Sequence, residues 1–230
     1  MTRSPSPEPP TVLLVGVGAV ADRCAQLLTD SGVAVTAVQP GAPLPALDDF
    51  AAAGLAGERP LPELEKELDD ACWTHGTAWT LGLLLAHEFQ IGPTVVPERT
   101  PCHACWLRRV RSQSNDVEVH DAIREAGIIR PESPWFAGVW PVLVEQVGAL
   151  LAGELLSLAS GDPPLPSSQR GRYWRGDAVF GSLESHEFVR VGTCPRCVRD
   201  DQRPGGSEAL GRYVRKRFTE AVFDGSDRQM

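Results

Sequence analysis

The apolar positions near the start of the chain form two short runs with an amphipathic stretch between them. Residues 11–15 are mostly apolar and β-branched, and the run ends at Gly16, which predicts a fully buried parallel strand. Residues 21–31 have helical periodicity and end at Gly32, and residues 33–38 predict a second buried strand. This order of strand, glycine turn, helix and strand predicts the first half of a doubly wound α/β sheet.

The segment that follows predicts a loop, a helix and a β-hairpin. Residues 40–62 are rich in Pro, Ala and Gly, which predicts a loop with at most short helical turns. Residues 63–72 predict an acidic surface helix. Residues 79–86 and 89–96 are apolar runs separated by two polar residues, which predicts a hairpin.

The last part of the pattern contains three helices and a second pair of strands. The polar segment 108–130 carries one predicted helix, and residues 140–160 predict a long, mostly buried helix. Residues 171–191 alternate as two strands with a turn near Gly181. A basic helix is predicted over residues 208–223.

These patterns predict one α/β domain over residues 11–199, between a disordered tail at residues 1–10 and a polar tail at residues 200–230. The 230 residues carry a formal net charge of −8, which argues against nucleic acid as a partner. No run reaches the roughly 18 apolar residues of a membrane span, and the N-terminus lacks the apolar region of a secretory signal. We therefore expect a cytoplasmic protein that uses no membrane and keeps its thiols reduced.

A glycine turn follows the first predicted strand, with the pattern G-x-G-x-x-A from Gly16 and Gly18. Such a turn can hold a pyrophosphate at the helix N-terminus. The acid that would bind the ribose is missing, because the second strand ends at Gln39 and Pro40. We expect a vestigial nucleotide turn that serves packing and does not bind ATP, and the alternative of a working nucleotide site stays open.

Two C-x2-C pairs, Cys102 with Cys105 and Cys194 with Cys197, are the strongest chemical signal. Two such pairs on turns after strands predict a closed tetrahedral S4 site for structural Zn²⁺, which leaves no position for a catalytic water. Neighbouring arginines would offset the negative charge of four thiolates; they are Arg108, Arg109, Arg196 and Arg199. Two unrelated pairs and disulfide chemistry are the alternatives.

Other cysteine and histidine residues are predicted to be structural. Cys24 and Cys72 lie in apolar surroundings and are expected to be ordinary buried thiols. His103, inside the first pair, is expected to face solvent on a turn. His87 shows no carboxylate partner in the sequence. We therefore predict no catalytic residue.

The glycine turn and the two distant cysteine pairs together resemble the ubiquitin-activating-enzyme-like (E1/ThiF-like) superfamily. The resemblance implies a Rossmann-like E1/ThiF-type domain with a zinc-stapled, β-rich C-terminal part. Residues 91–105, IGPTVVPERTPCHAC, look like the GP-x-V-V-P-G-R-T-x-C-x-x-C stretch of one branch. That branch comprises the cyclodehydratase partner proteins of thiazole/oxazole-modified microcin (bacteriocin) biosynthesis. Residues 186–197 are similar to its second zinc knuckle, and the resemblance covers roughly residues 11–200.

The resemblance implies a partner subunit that makes no azolines itself. In such systems a YcaO-type cyclodehydratase uses ATP to activate backbone amides of a ribosomal precursor peptide. The partner presents the precursor through its leader peptide and stimulates the enzyme. Many partners begin with a winged-helix leader-binding domain, whereas ten residues precede the first strand here. We therefore expect leader recognition to involve a separate protein.

Two further expectations come from the resemblance. The first is an alternative function, an active E1-like enzyme that adenylates a peptide or carrier-protein C-terminus with ATP. The second is a homodimer, with residues 139–158 as either its interface or the core of the domain.

Overall fold

The computed structural model describes residues 9–114, 116–129, 138–161 and 170–197. These residues fall into two compact units that divide between Arg190 and Val191. Residues 1–8, the predicted C-terminal tail and the predicted helix over 208–223 lie outside the described residues.

The first unit is a mixed α/β domain built on seven strands and five helices within the described residues. The strands are β1 (Thr11–Gly16), β2 (Ala34–Val38), β3 (Ala52–Gly57), β4 (Trp79–Leu85), β5 (Glu88–Ile91), β6 (Arg170–Asp177) and β7 (Ser182–Val189). The helices are α1 (Ala19–Asp30), α2 (Pro62–His75), α3 (His103–Gln113), α4 (Val117–Ile129) and α5 (Pro141–Ala159).

One sheet contains all seven strands in the order β2-β1-β3-β4-β5-β6-β7. The four strands β1 to β4 run parallel, of which the pattern predicts β1 and β2, and β5 to β7 are antiparallel to their neighbours. Alternate side chains of the strands point to opposite faces of the sheet. On one face they pack against α1 and α5, and on the other they pack against α2.

The predicted second buried strand exists as β2, but its side chains are mostly exposed. The prediction of burial is wrong because β2 forms one edge of the sheet and pairs only with β1 among the described strands. An apolar run therefore indicated the strand correctly but not its position in the sheet.

The loop predicted over residues 40–62 contains the fully buried strand β3, which lies between β1 and β4. Its sequence, AAGLAG, has one bulky side chain, Leu55, whereas a strand is usually marked by several. The small residues are needed because α5 lies close above them: a Cβ on Gly54 would come within 2.8 Å of Leu155 Cδ1. A Cβ on Gly82 of β4 would likewise come within 2.9 Å of Leu151 Cδ2.

The single helix predicted over residues 108–130 is two helices, α3 and α4. Helix α3 begins five residues earlier than predicted, inside the first cysteine pair. The break falls before Asp116, whose side-chain Oδ1 accepts a hydrogen bond of 3.0 Å from the backbone N–H of Val119 in the first turn of α4. An acidic side chain in this position starts a helix, which explains the interruption.

The other elements predicted within the described residues are present. Helices α1 and α2 and the hairpins β4–β5 and β6–β7 lie where the pattern places them, although β5 ends at Ile91, five residues earlier than predicted. Helix α5 buries eight of its residues against the sheet and α1, so one face of the segment 139–158 belongs to the core, while Trp140 and Val142 are exposed. Whether its other face forms a dimer interface stays a prediction. By length and composition alone α5 could cross a membrane, but 44% of its apolar window is buried inside the protein, so this is weak support for a span.

Candidate metal centre and glycine turn

The first glycine of the turn is required by backbone packing. Gly16 ends β1 beside β3, and a Cβ there would overlap the carbonyl oxygen of Ala56. The close approach of two parallel strands therefore accounts for Gly16 without any ligand.

The second glycine of the turn accommodates a carboxylate of the protein itself. Gly18 is the N-cap of α1 with φ +101°, and a Cβ there would come within 2.7 Å of Glu58 Oε1. The same oxygen accepts a hydrogen bond of 3.2 Å from the backbone N–H of Val20. Glu58 thus satisfies a donor at the helix N-terminus, where the helix dipole favours a negative charge. This is the place where a nucleotide phosphate would bind in a working turn.

A cavity of about 500 Å³ lies next to the turn, where β1, β2 and β3 end. Gln39 lines it at the position where an acid would hold a ribose. Glu63 and Glu67, both exposed, stand one helical turn apart on α2 and also line it. Arg59 is the basic residue among those that line the cavity.

The first cysteine pair opens helix α3. Cys102 is the N-cap, with φ −74° and ψ 167°, and its carbonyl oxygen accepts hydrogen bonds from the backbone N–H groups of Cys105 (3.0 Å) and Trp106 (3.2 Å). The sulfurs of Cys102 and Cys105 are buried and lie within 4.8 Å of one another. The sequence predicts a turn for this pair, and a helix N-terminus is found instead.

The second cysteine pair belongs to the second unit and lies on a turn, as predicted. The backbone N–H of Cys194 donates to the carbonyl oxygen of Val191 at 2.9 Å. The sulfurs of Cys194 and Cys197 are buried and also lie within 4.8 Å of one another. The local geometry of this pair therefore suits the binding of one metal ion by both sulfurs.

None of the six cysteines of the chain, all of which are described, is in a disulfide. Four buried cysteines in two C-x2-C pairs could bind a metal ion, because buried thiolates need a cation to compensate their charge. Cys24 and Cys72 are fully buried in the core, as predicted. Burial raises the pKa of Cys24 to about 12, so its thiol is protonated at neutral pH.

His103 is buried, so the predicted solvent-facing position is wrong. Its Nε2 lies 3.3 Å from Oε2 of Glu65, a fully buried residue of α2. Arg124 of α4 also donates to Glu65 Oε2, at 2.9 Å. Burial alone would raise the pKa of Glu65, but its contacts with His103 and Arg124 lower it to about 2. The Glu65 carboxylate on α2 thus contacts one residue of α3 and one residue of α4, and its partner on α3 lies within the first cysteine pair.

His87 has the carboxylate neighbours that the sequence does not reveal. Its Nε2 lies 3.8 Å from Asp177 Oδ2, and Glu88 completes a group of ligand atoms within 4.8 Å of one another. Glu88 also lies 3.6 Å from Arg175. The side chains of His87 and Asp177 are partly exposed. His87 and Glu88 lie at the turn between β4 and β5, and Asp177 lies at the turn between β6 and β7. The two turns are close together because β5 and β6 are adjacent in the sheet.

No family model matches the sequence, and no curated protein matches it. Solved structures do match. The heterocyclase TruD is 16% identical with a TM-score of 0.60, over 83% of this chain and 28% of that one. The microcin synthetase McbBCD complex of E. coli is 15% identical with a TM-score of 0.61, over 84% of this chain and 71% of that one. E. coli MccB, solved with selenomethionine MccA, is 13% identical with a TM-score of 0.57, over 83% of this chain and 67% of that one.

These similarities establish a shared fold, since the identities are low and the aligned parts include most of this chain. The chain spans little more than a quarter of the length of TruD. The mixed α/β domain described above is therefore the fold of one portion of a heterocyclase and of components of two microcin systems.

Proposed function

We propose that this protein is a non-catalytic partner subunit of a YcaO-type cyclodehydratase, which forms azolines in a ribosomal precursor peptide. The fold shared with TruD and with a subunit of the microcin synthetase supports this assignment. The sequence at residues 91–105, which resembles the partner proteins of such enzymes, supports it independently. The subunit would present the precursor peptide or dock the enzyme.

The observation that carries the non-catalytic part of the proposal is the position of Glu58. An adenylating enzyme of this fold would need to place nucleotide phosphates at the glycine turn. Here a carboxylate already accepts the hydrogen bond of Val20 and occupies the space beside Gly18. A phosphate would have to displace it against like-charge repulsion, and Gln39 offers no carboxylate for the ribose. The position of Glu58 therefore supports the proposal that the chain does not bind ATP.

The second candidate is an active E1-like enzyme that adenylates a peptide or carrier-protein C-terminus. One observation favours it: the turn joins a buried parallel strand to a twelve-residue helix, as in working nucleotide sites. Rotation of the Glu58 side chain away from Val20 would be needed before ATP could bind. The occupied helix terminus makes this the weaker candidate.

We also propose that the two cysteine pairs hold one structural Zn²⁺. All four sulfurs are buried, none is in a disulfide, and tetrahedral thiolate sets are characteristic of this metal. When bound, the ion would supply structural cross-linking and no catalysis, because four thiolates fill its coordination sphere. Arg109 stands one helical turn after Cys105 on α3 and contributes positive charge near the first pair. Location in the cytoplasm, where thiols stay reduced, is part of the same proposal.

Reconstitution with a YcaO-type enzyme and its precursor peptide tests the partner role. We expect the purified chain to raise the rate of azoline formation, followed by mass spectrometry as the loss of one water for each ring. The chain alone should neither bind ATP in calorimetric titration nor exchange pyrophosphate into it. Pyrophosphate exchange by the chain alone would instead establish the adenylating alternative.

A further inference from the structure

The cavity beside the glycine turn lies where ligands bind in open α/β sheets, at the carboxyl ends of the parallel strands. Its volume of about 500 Å³ lies within the range of small-ligand sites. Val17 follows β1, Gln39 follows β2 and Arg59 follows β3, so three adjacent strands contribute to its wall. The fourth side is the start of α2.

One part of the wall is apolar. Leu61 is buried, Leu64 is half-buried, and both belong to the start of α2. Pro40 and Pro62 extend this surface, and Val17 adds an exposed apolar side chain, with 54% of its surface accessible. A ligand would therefore place an apolar group against this side of the cavity.

The other part of the wall is acidic. Glu63 and Glu67 stand at positions i and i+4 of α2 and face the same side of the helix. Glu58 adds a third carboxylate at the adjoining turn. Arg59 also lines the cavity, so three carboxylates stand against one guanidinium and the site keeps a negative balance. This balance favours a cation over a phosphate or another anion, and the net charge of −8 acts in the same direction.

We propose that this cavity binds a peptide segment in which an apolar side chain stands next to a lysine or arginine. Neighbouring residues of a peptide supply both groups at a short spacing, which matches an apolar wall beside two carboxylates. This inference rests on the proposed function, and it identifies where a partner subunit holds a precursor peptide. The position used for a nucleotide in working enzymes of this architecture thus becomes a peptide site.

Nuclear magnetic resonance on the ¹⁵N-labelled full chain tests the inference with three model peptides. They are acetyl-Gly-Leu-Lys-Leu-Gly-amide and its two analogues with norleucine or glutamate in place of lysine. We expect the lysine peptide to shift the backbone amide signals of residues 39–41 and 59–67 in a saturable manner. The norleucine peptide should bind about threefold to tenfold more weakly, and the glutamate peptide should not bind there.

A double variant, Glu63→Gln with Glu67→Gln, isolates the charge contribution. Both carboxylates are exposed, so the variant should fold. Its affinity for the lysine peptide should fall by the same factor of about three to ten, while its affinity for the norleucine peptide should change little. Glu184→Gln is the matched control, because Glu184 is an exposed carboxylate on β7, at the opposite edge of the sheet from β2.

The outcomes separate this inference from the proposed function. If none of the peptides shifts the amides around the cavity, or if the lysine preference survives in the double variant, the inference is wrong. The chain would then still be able to stimulate azoline formation in reconstitution. If ATP shifts these amides with micromolar affinity, the silent-partner function fails as well.

Discussion

The carboxylate of Glu58 lies directly against the Cα of Gly18, so that a Cβ on this glycine would come within 2.7 Å of Glu58 Oε1. The two residues are forty positions apart and meet because β1 and β3 are adjacent in the sheet. A glycine in this turn is usually needed so that a pyrophosphate can approach the backbone. In this protein the same opening admits a side chain of the protein, which caps α1.

Replacing Glu58 by Ala should lower the free energy of unfolding by about 1 kcal/mol. The backbone N–H of Val20 would lose its acceptor at the helix N-terminus, and the favourable interaction of the charge with the helix dipole would also be lost. Urea denaturation followed by circular dichroism measures the change.

Glu58→Gln is the matched control for that measurement. It keeps an oxygen acceptor for Val20 and removes only the charge, so its loss should be smaller than that of the alanine variant. Equal stability of all three proteins would mean that Glu58 does not cap the helix in solution.

The sequence predicted the parallel start of the sheet but not the partner of Gly18. Glu58 follows β3, a strand whose small residues gave no apolar signal because α5 lies close above them. Strand residues that lie under a closely packed helix must be small, although small residues have a low propensity for strands. Local sequence preference and tertiary packing therefore disagree at these positions. Because β3 was assigned to a loop, the position of Glu58 near the glycine turn after β1 could not be predicted from the sequence.

The candidate metal centre was predicted more fully than its surroundings. The spacing of the two C-x2-C pairs identified the four thiols, and all four are buried. The burial of His103 could not be predicted, because Glu65 lies on α2 and Arg124 on α4, far from it in sequence. Such contacts depend on how the helices pack and leave no pattern of spacing.

Replacing Glu65 by Gln should destabilise the protein by about 3 kcal/mol at pH 7, because His103 and Arg124 would lose a buried anionic partner. The pKa of Glu65 is lowered from 4.5 to about 2 in the folded protein. Its ionised form therefore stabilises the fold fully above about pH 4.5, and this stabilisation is lost as the pH falls toward 2.

The difference in unfolding free energy between wild type and Glu65→Gln measures this effect from pH 7 to pH 3 in the same buffers. Loss of a metal at low pH affects both proteins, so it cancels in the difference. We expect the difference to shrink steadily below pH 4.5. A difference that stays constant over this range would show that the pKa of Glu65 is the same in the folded and the unfolded protein, which would contradict the two ion pairs.

Removal of the metal should expose four thiols and leave two protected. Cys24 and Cys72 are fully buried, and burial raises the pKa of both thiols, which suppresses the reactive thiolate. We expect iodoacetamide to label no cysteine of the native protein at neutral pH. After treatment with a strong chelator it should label Cys102, Cys105, Cys194 and Cys197, as identified by peptide mass spectrometry. Labelling of these four residues at the same rate with and without chelator would contradict a shared metal site.

Replacing Cys102 by Ser should remove the metal and unfold the C-terminal half of the chain. A hydroxyl is a poor ligand for zinc, and structural sites of this kind contribute on the order of 10 kcal/mol in small domains. Elemental analysis should find one zinc ion per chain in the wild type and much less in the variant. The control is Cys24→Ala, which removes a buried thiol from the core beneath α1 and should keep a full complement of zinc while costing only a small loss of stability. Zinc retained at one ion per chain in Cys102→Ser would show that the first pair is not part of the site, whereas loss in both variants would point to general unfolding rather than to ligation.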